Sequence, residues 1–86
     1  MYTKEKFGQE LKEMVKRREE ISIIGAKAHS AYYDHIWEID PNSDLRKFLL
    51  QLGTMEMGPE FELSYEELDD IANRLIAGED VTLPTV

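Results

Sequence analysis

The segment LSYEELDDIANRLIAG, residues 63–78, carries a full set of local signals for an α-helix. Ser64 and Glu67 have the spacing of a capping box, in which each side chain accepts a hydrogen bond from the other residue's backbone N–H. Leucines on either side of the box have the spacing of a hydrophobic staple. Apolar residues then recur at helical spacing, and Gly78 stands where a left-handed residue often ends a helix. The segment therefore predicts an amphipathic helix and indicates a helical fold.

Another helix is predicted from residue 3 to about residue 19. Thr3 is a suitable cap, and Tyr2 and Phe7 have the spacing of a second staple. Gly8 weakens the helix by about 1 kcal/mol relative to alanine. One apolar stripe nevertheless runs along it, formed by Phe7, Leu11, Met14 and Val15.

The connection EEISIIGA, residues 19–26, has three interpretations. It is part of one long helix, or a tight turn with Ser22 as the cap of a new helix, or a short strand built on its isoleucines. The residues that follow repeat with a helical period. We therefore favour two helices, the second of which covers residues 21–39.

A further helix is predicted after Asp40 and Pro41, which supply a cap and a first-turn proline, with Ser43 as a second candidate cap. It ends at Gly53 or continues through Met57 until Gly58-Pro59 stops it. The last residues, EDVTLPTV, predict an extended tail that Val81 and Leu83 hold across the bundle. The expected architecture is all-α: a single domain over residues 1–86, a bundle of about four helices with an extended C-terminal tail.

The chain has 86 residues, no cysteine and a net charge of −8, and the charge is unevenly distributed. Residues 1–27 hold seven bases and five acids, whereas residues 28–86 hold three bases and thirteen acids. Such an acidic region repels nucleic acid and anionic membranes and attracts a basic protein, although acids also serve solubility alone. No long apolar run and no signal-peptide pattern is visible, so we expect a cytoplasmic protein without membrane contact.

The segment AYYDHIWEID, residues 31–40, concentrates aromatic and titratable side chains. On a helical wheel His35 falls in the core stripe, which predicts a buried histidine bonded to a backbone carbonyl or a tyrosine. Asp34 and Glu38 lie one turn apart on another face. Paired carboxylates can hold a hard cation or perform acid–base chemistry, but no second helix supplies the remaining ligands. We expect no metal, no cofactor and no catalytic residue.

Tyr33 and Trp37 share a second semi-apolar stripe on the side of this helix opposite the core. Either the helix is buried on two sides, or the two rings are exposed as anchors of a binding hot spot. Together with nearby acids and an acidic patch on the last helix, they give the expected partner-binding residues: Tyr33, Asp34, Trp37, Glu38, Asp40, Glu66, Asp69 and Asp70.

Four features occur together in this chain: its length, the helical pattern, the Tyr32-Tyr33 pair beside acids, and the segment LSYEELDDIANRLIAGED. In this combination the chain resembles small acidic immunity proteins that neutralise bacterial toxins, including those of colicin and contact-dependent inhibition systems. The flanking motif of the colicin DNase immunity proteins is absent, so no residue role is transferred. The resemblance implies a stoichiometric inhibitor, not an enzyme, that covers a basic toxin or nuclease domain. Two alternatives stay open: a phage- or plasmid-encoded acidic regulator that mimics DNA charge, and a non-catalytic subunit that forms a homodimer.

Overall fold

Four α-helices make up most of the residues that the computed structural model describes, which are 2–58 and 62–81. They are α1 (Lys4–Lys16), α2 (Ile21–His35), α3 (Leu45–Gly53) and α4 (Tyr65–Ile76), and a 3-10 helix (Thr54–Met57) continues α3. The described ranges contain no β-strand. The prediction of an all-α bundle of about four helices is confirmed.

Helix α4 follows its sequence signals closely. Both halves of the capping box are present, since Ser64 accepts from the Glu67 N–H and Glu67 accepts from the Ser64 N–H. Gly78 has a φ of 86°, and its N–H donates to the Leu75 carbonyl, while the Glu79 N–H donates to the Arg74 carbonyl. These two bonds form a Schellman motif, in which only glycine takes the left-handed position without strain.

Helix α1 packs against α4, and its cap is confirmed, because the Thr3 hydroxyl accepts from the Lys6 N–H. Gly8 marks the crossing of the two helices. A Cβ at this position would lie 2.8 Å from Leu75 Cβ and 3.0 Å from the Ile76 nitrogen. Glycine lowers the helix propensity of α1 at this position, but its lack of a side chain lets the two backbones approach closely.

Helix α1 ends at Lys16, three residues before its predicted end at residue 19. Arg18 takes the left-handed conformation with a φ of 55°, and the Glu19 N–H donates to the Met14 carbonyl. The Tyr65 hydroxyl donates to the Glu19 carbonyl at 2.6 Å, and the Arg18 guanidinium lies 4.8 Å from the centre of the Tyr65 ring. These contacts from α4 fix the turn.

Of the three interpretations for residues 19–26, the tight turn between two helices is the one observed. The new helix α2 begins at Ile21 with Glu20 as its cap residue, and no side chain caps it. Ser22 lies inside the helix, so the prediction of Ser22 as its cap is wrong. Gly25 lets α2 approach the 3-10 helix, because a Cβ there would lie 2.8 Å from the Glu56 nitrogen.

Helix α2 begins at Ile21 as predicted but ends at His35, so the prediction that it continues to residue 39 is wrong. Residues 36–38 form a turn. A second turn follows, in which the Asp40 carboxylate accepts from the Asn42 N–H at 2.9 Å. Asp40 and Pro41 therefore do not begin α3, which starts at Leu45 after Asp44. The Ser43 hydroxyl does accept from the Leu45 N–H, at 3.1 Å.

The core lies between two helical pairs. In the first pair α1 packs against α4, and in the second α2 packs against α3 and the 3-10 helix that continues it. Phe7 from the first pair meets Phe48 from the second edge to face, with ring centres 6.1 Å apart. Val81, partly buried, packs against this core. Two predicted features lie outside the described residues: Pro59 as part of the stop after Met57, and Leu83 as a contact of the C-terminal tail. The largest fully buried side chains come from both pairs and from the segment between α2 and α3: Phe7, Leu11, Ile24, Ile39, Phe48, Leu49, Leu52, Met55, Leu68 and Leu75.

Candidate protein-binding surface

Two aromatic rings project from the end of α2 into solvent. Tyr33 is 69% exposed and Trp37 is 93% exposed, so the helix is not buried on this side. Tyr33 packs edge to face on the partly buried Tyr32, with ring centres 5.1 Å apart. Asp34 lies between them in the chain and is exposed as well. We call Tyr33, Asp34 and Trp37 the aromatic surface.

The turn that carries Trp37 is fixed by hydrogen bonds from distant parts of the chain. One nitrogen of the Arg46 guanidinium donates to the Ile36 carbonyl at 2.5 Å and to the Ile39 carbonyl at 3.3 Å. The Tyr2 N–H donates to the Glu38 carbonyl at 3.3 Å. Trp37 thus stands on a backbone that is already ordered, which lowers the entropic cost of using it as an anchor.

His35 supports the same turn from beneath. Its ring stacks on the Tyr2 ring at 4.0 Å with an angle of 2° between the planes, and its Nδ1 lies 2.7 Å from Glu38 Oε2. The prediction of a core histidine bonded to a backbone carbonyl or a tyrosine is therefore wrong, because His35 is only partly buried and its hydrogen-bond partner is a carboxylate. The hydrogen bond from His35 is the main cause that lowers the pKa of Glu38.

Tyr2 closes this cluster. Its ring is buried, and its hydroxyl donates to Glu10 Oε2 at 2.5 Å. Burial, followed by the hydrogen bond to Glu10, raises the pKa of Tyr2 far above its usual value. From the sequence, Tyr2 was predicted only as a staple residue, and its contacts with α2 and the following turn were not predicted.

The predicted acids differ in how far they are available to a partner. Asp34 forms no ion pair with any described residue, whereas Glu38 is bonded to His35 and Asp40 takes part in its turn. On α4, Asp69 pairs with Lys12 at 2.9 Å and Asp70 pairs with Arg74 at 3.0 Å.

The eight expected residues therefore do not form one continuous surface. Glu66, Asp69 and Asp70 belong to α4, which packs against α1, and two of these three acids are already neutralised. The other five cluster at the end of α2 and in the two turns after it. This second group, centred on the aromatic surface, is the stronger candidate site.

A groove of about 530 Å³ opens between α1 and α2 and was not predicted. Buried apolar residues line its base, namely Phe7, Met14 and Ala31. Asp34 of the aromatic surface also lines it, so the two features adjoin. The groove exists because each helix packs mainly against a different neighbour, α1 against α4 and α2 against α3.

Among the described residues, neither histidine belongs to a group of side chains that could hold a metal ion. His29 lies 3.3 Å from Glu56 and His35 lies 2.7 Å from Glu38, each as an isolated pair. Over residues 2–58 and 62–81, no group of three or more potential ligand side chains converges. None of the helices in these ranges is sufficiently long and apolar to cross a bilayer.

No protein-family model, curated protein or solved structure matches this chain.

Proposed function

We propose that this chain is an acidic protein-binding module that inhibits a basic toxin or nuclease domain by direct binding, in the manner of an immunity protein. The observation that carries the proposal is Trp37, 93% exposed on a fixed turn beside Tyr33, in a chain with a net charge of −8. No catalytic chemistry is needed for this role.

The two rings supply the affinity. Tryptophan and tyrosine are enriched among the few residues that carry most of the energy of an interface. Each buries a large area and offers one polar atom to the partner. Exposed rings that no neighbour in the described chain covers are typical of a surface used for binding. The anchored backbone beneath Trp37 reduces what must be ordered when the partner binds.

The charge supplies rate and selectivity. Eighteen acids against ten bases give a negative field that attracts a cationic domain and accelerates its encounter. Asp34 directly follows Tyr33 in the chain and precedes Trp37 by three residues, so the charge of this segment has the same sign as the net charge. A toxin domain that binds nucleic acid is basic for the same electrostatic reason and would fit this surface.

The test is affinity capture with the tagged chain at moderate salt, followed by a functional assay. We expect one basic protein to be retained by the wild type and lost, by roughly 30-fold or more in affinity, in a Tyr33→Ala/Trp37→Ala variant. Met57→Ala is the matched control, since Met57 is 70% exposed but lies in the 3-10 helix. The captured protein, produced alone, should arrest growth, and the chain should relieve that arrest.

Other results would point elsewhere. If the double variant binds its partner as well as the wild type, the proposed surface is wrong. A steep loss of binding between low and high salt, with little effect of the aromatic variants, supports the DNA-mimic alternative. Capture of a second copy alone, with a dimer in sedimentation that the double variant abolishes, supports the homodimer.

A further inference from the structure

The groove between α1 and α2 has the size and shape of a ligand site. Its volume of about 530 Å³ holds several side chains and falls within the usual range for binding clefts, roughly 300–1,000 Å³. Phe7, Met14 and Ala31 line it, and each is almost fully buried within the chain. The base of the groove is therefore apolar but already covered, so a bound segment meets mainly the longer polar side chains of its walls.

The sides of the groove are mainly anionic. Four acids line it, Glu10, Glu13, Glu19 and Asp34, against two bases, Arg17 and Lys27. Lys27 is neutralised by Glu19 at 2.6 Å. Glu13 and Asp34 form no ion pair with the described residues, and neither does Arg17, so acids still outnumber bases among the unpaired lining residues.

Glu19 leaves one carboxylate oxygen without a donor. One of its oxygens accepts from Lys27, but the other, Oε2, is buried and accepts no hydrogen bond within the described chain. A buried carboxylate oxygen without a donor is unfavourable. Because this oxygen is covered in the free protein, the Glu19 side chain must turn before an arginine or lysine of a bound segment can donate to it.

We propose that this groove binds a basic amphipathic segment of the partner protein, which lies over the base of the groove and places cationic groups on Glu13, Glu19 and Asp34. The inference rests on the proposed function, because it names where the basic partner enters. Asp34 lines the groove and lies three residues before Trp37 in the chain, so a partner anchored on Trp37 brings an adjacent segment to the groove. The interface then extends well beyond the residues at the end of α2.

The test uses two capped peptides of about 14 residues with leucines along one helical face, one with arginines at the other positions and one with glutamates. Each is titrated into the full-length ¹⁵N-labelled chain. We expect the arginine peptide to bind at least about tenfold more tightly and to shift the amide signals of Glu13, Ala31 and Asp34. Equal binding of the two peptides, or shifts confined to other parts of the chain, would overturn the proposal.

Two variants localise the effect. Glu13→Lys/Asp34→Lys should weaken the arginine peptide by roughly tenfold, whereas Glu62→Lys/Glu79→Lys, with the same change in net charge outside the groove, should have a much smaller effect. Ala31→Leu should also weaken binding, because it fills the groove without changing charge. Circular dichroism checks that each variant is folded. Equal weakening by both charge variants would mean general attraction and would refute a specific site.

The peptide titration is separate from the affinity capture that tests the proposed function. A failed peptide titration leaves the aromatic surface and its partner standing, and a failed capture leaves the peptide result intact. The two proposals can therefore fail independently.

Discussion

The Tyr2→Phe substitution removes one oxygen atom and tests how Tyr2 supports the aromatic surface. The phenylalanine keeps the stack on His35 and loses only the hydrogen bond to Glu10. A hydrogen bond to a charged group contributes about 1.5–3 kcal/mol net. Glu10 lies at the surface and regains water when the bond is lost, so we expect the low end of this range. The predicted loss at neutral pH is about 1–2 kcal/mol.

The same substitution should change the response to alkaline pH. Because the pKa of Tyr2 is raised in the folded state, its stabilising effect is fully present below the pKa of the unfolded chain, about 10. Above that pH the unfolded state releases the phenolic proton and the folded state keeps it, so stability falls. Tyr2→Phe lacks this component, and the difference in stability between the two proteins should shrink above pH 10.

The assay is urea unfolding followed by circular dichroism between pH 7 and pH 11. Tyr33→Phe is the matched control, because its exposed ring should leave stability unchanged within about 0.5 kcal/mol. If Tyr2→Phe is as stable as the wild type at pH 7, or if the difference stays constant up to pH 11, the Tyr2–Glu10 contact does not have the assigned role.

Three further predictions concern the scaffold. Gly25→Ala should destabilise the chain by about 1–2 kcal/mol in thermal or urea unfolding, because the alanine Cβ meets the backbone of the 3-10 helix. This loss outweighs the higher helix propensity of alanine. A stabilised variant would contradict the close approach of α2 to the 3-10 helix. Ser64→Ala should cost about 1 kcal/mol in the same assay through loss of the capping box, and no change would mean that α4 does not need its cap. Arg46→Ala should leave the helical circular dichroism signal intact but lower the fluorescence anisotropy of Trp37, because the Ile36 and Ile39 carbonyls lose their donor. An unchanged anisotropy would show that other contacts fix the turn.

Helix α4 was predictable because its signals are local. Ser64, Glu67 and Gly78 act within a few residues of one another, and the structure contains each of their hydrogen bonds. The exposure of Tyr33 and Trp37 was predictable only as one of two alternatives. A helical wheel shows which residues share a face but not whether another element covers it.

The helix ends were mispredicted where long-range contacts decide them. Ile36 and Ile39 continue the helical period after His35, and no glycine or proline interrupts them. The turn forms because Arg46 and Tyr2, from elsewhere in the chain, bind its carbonyls. The same reasoning applies to the groove between α1 and α2, since its existence depends on how the two helical pairs diverge.

The exposure of Trp37 is the most direct test of the recognition surface, because it is the only tryptophan in the chain and all tryptophan emission reports on it. Acrylamide quenching of the free protein should approach that of the urea-unfolded chain and should fall when the captured basic partner is added. A ring that is shielded in the free protein, or quenching that the saturating partner leaves unchanged, would contradict recognition through this surface.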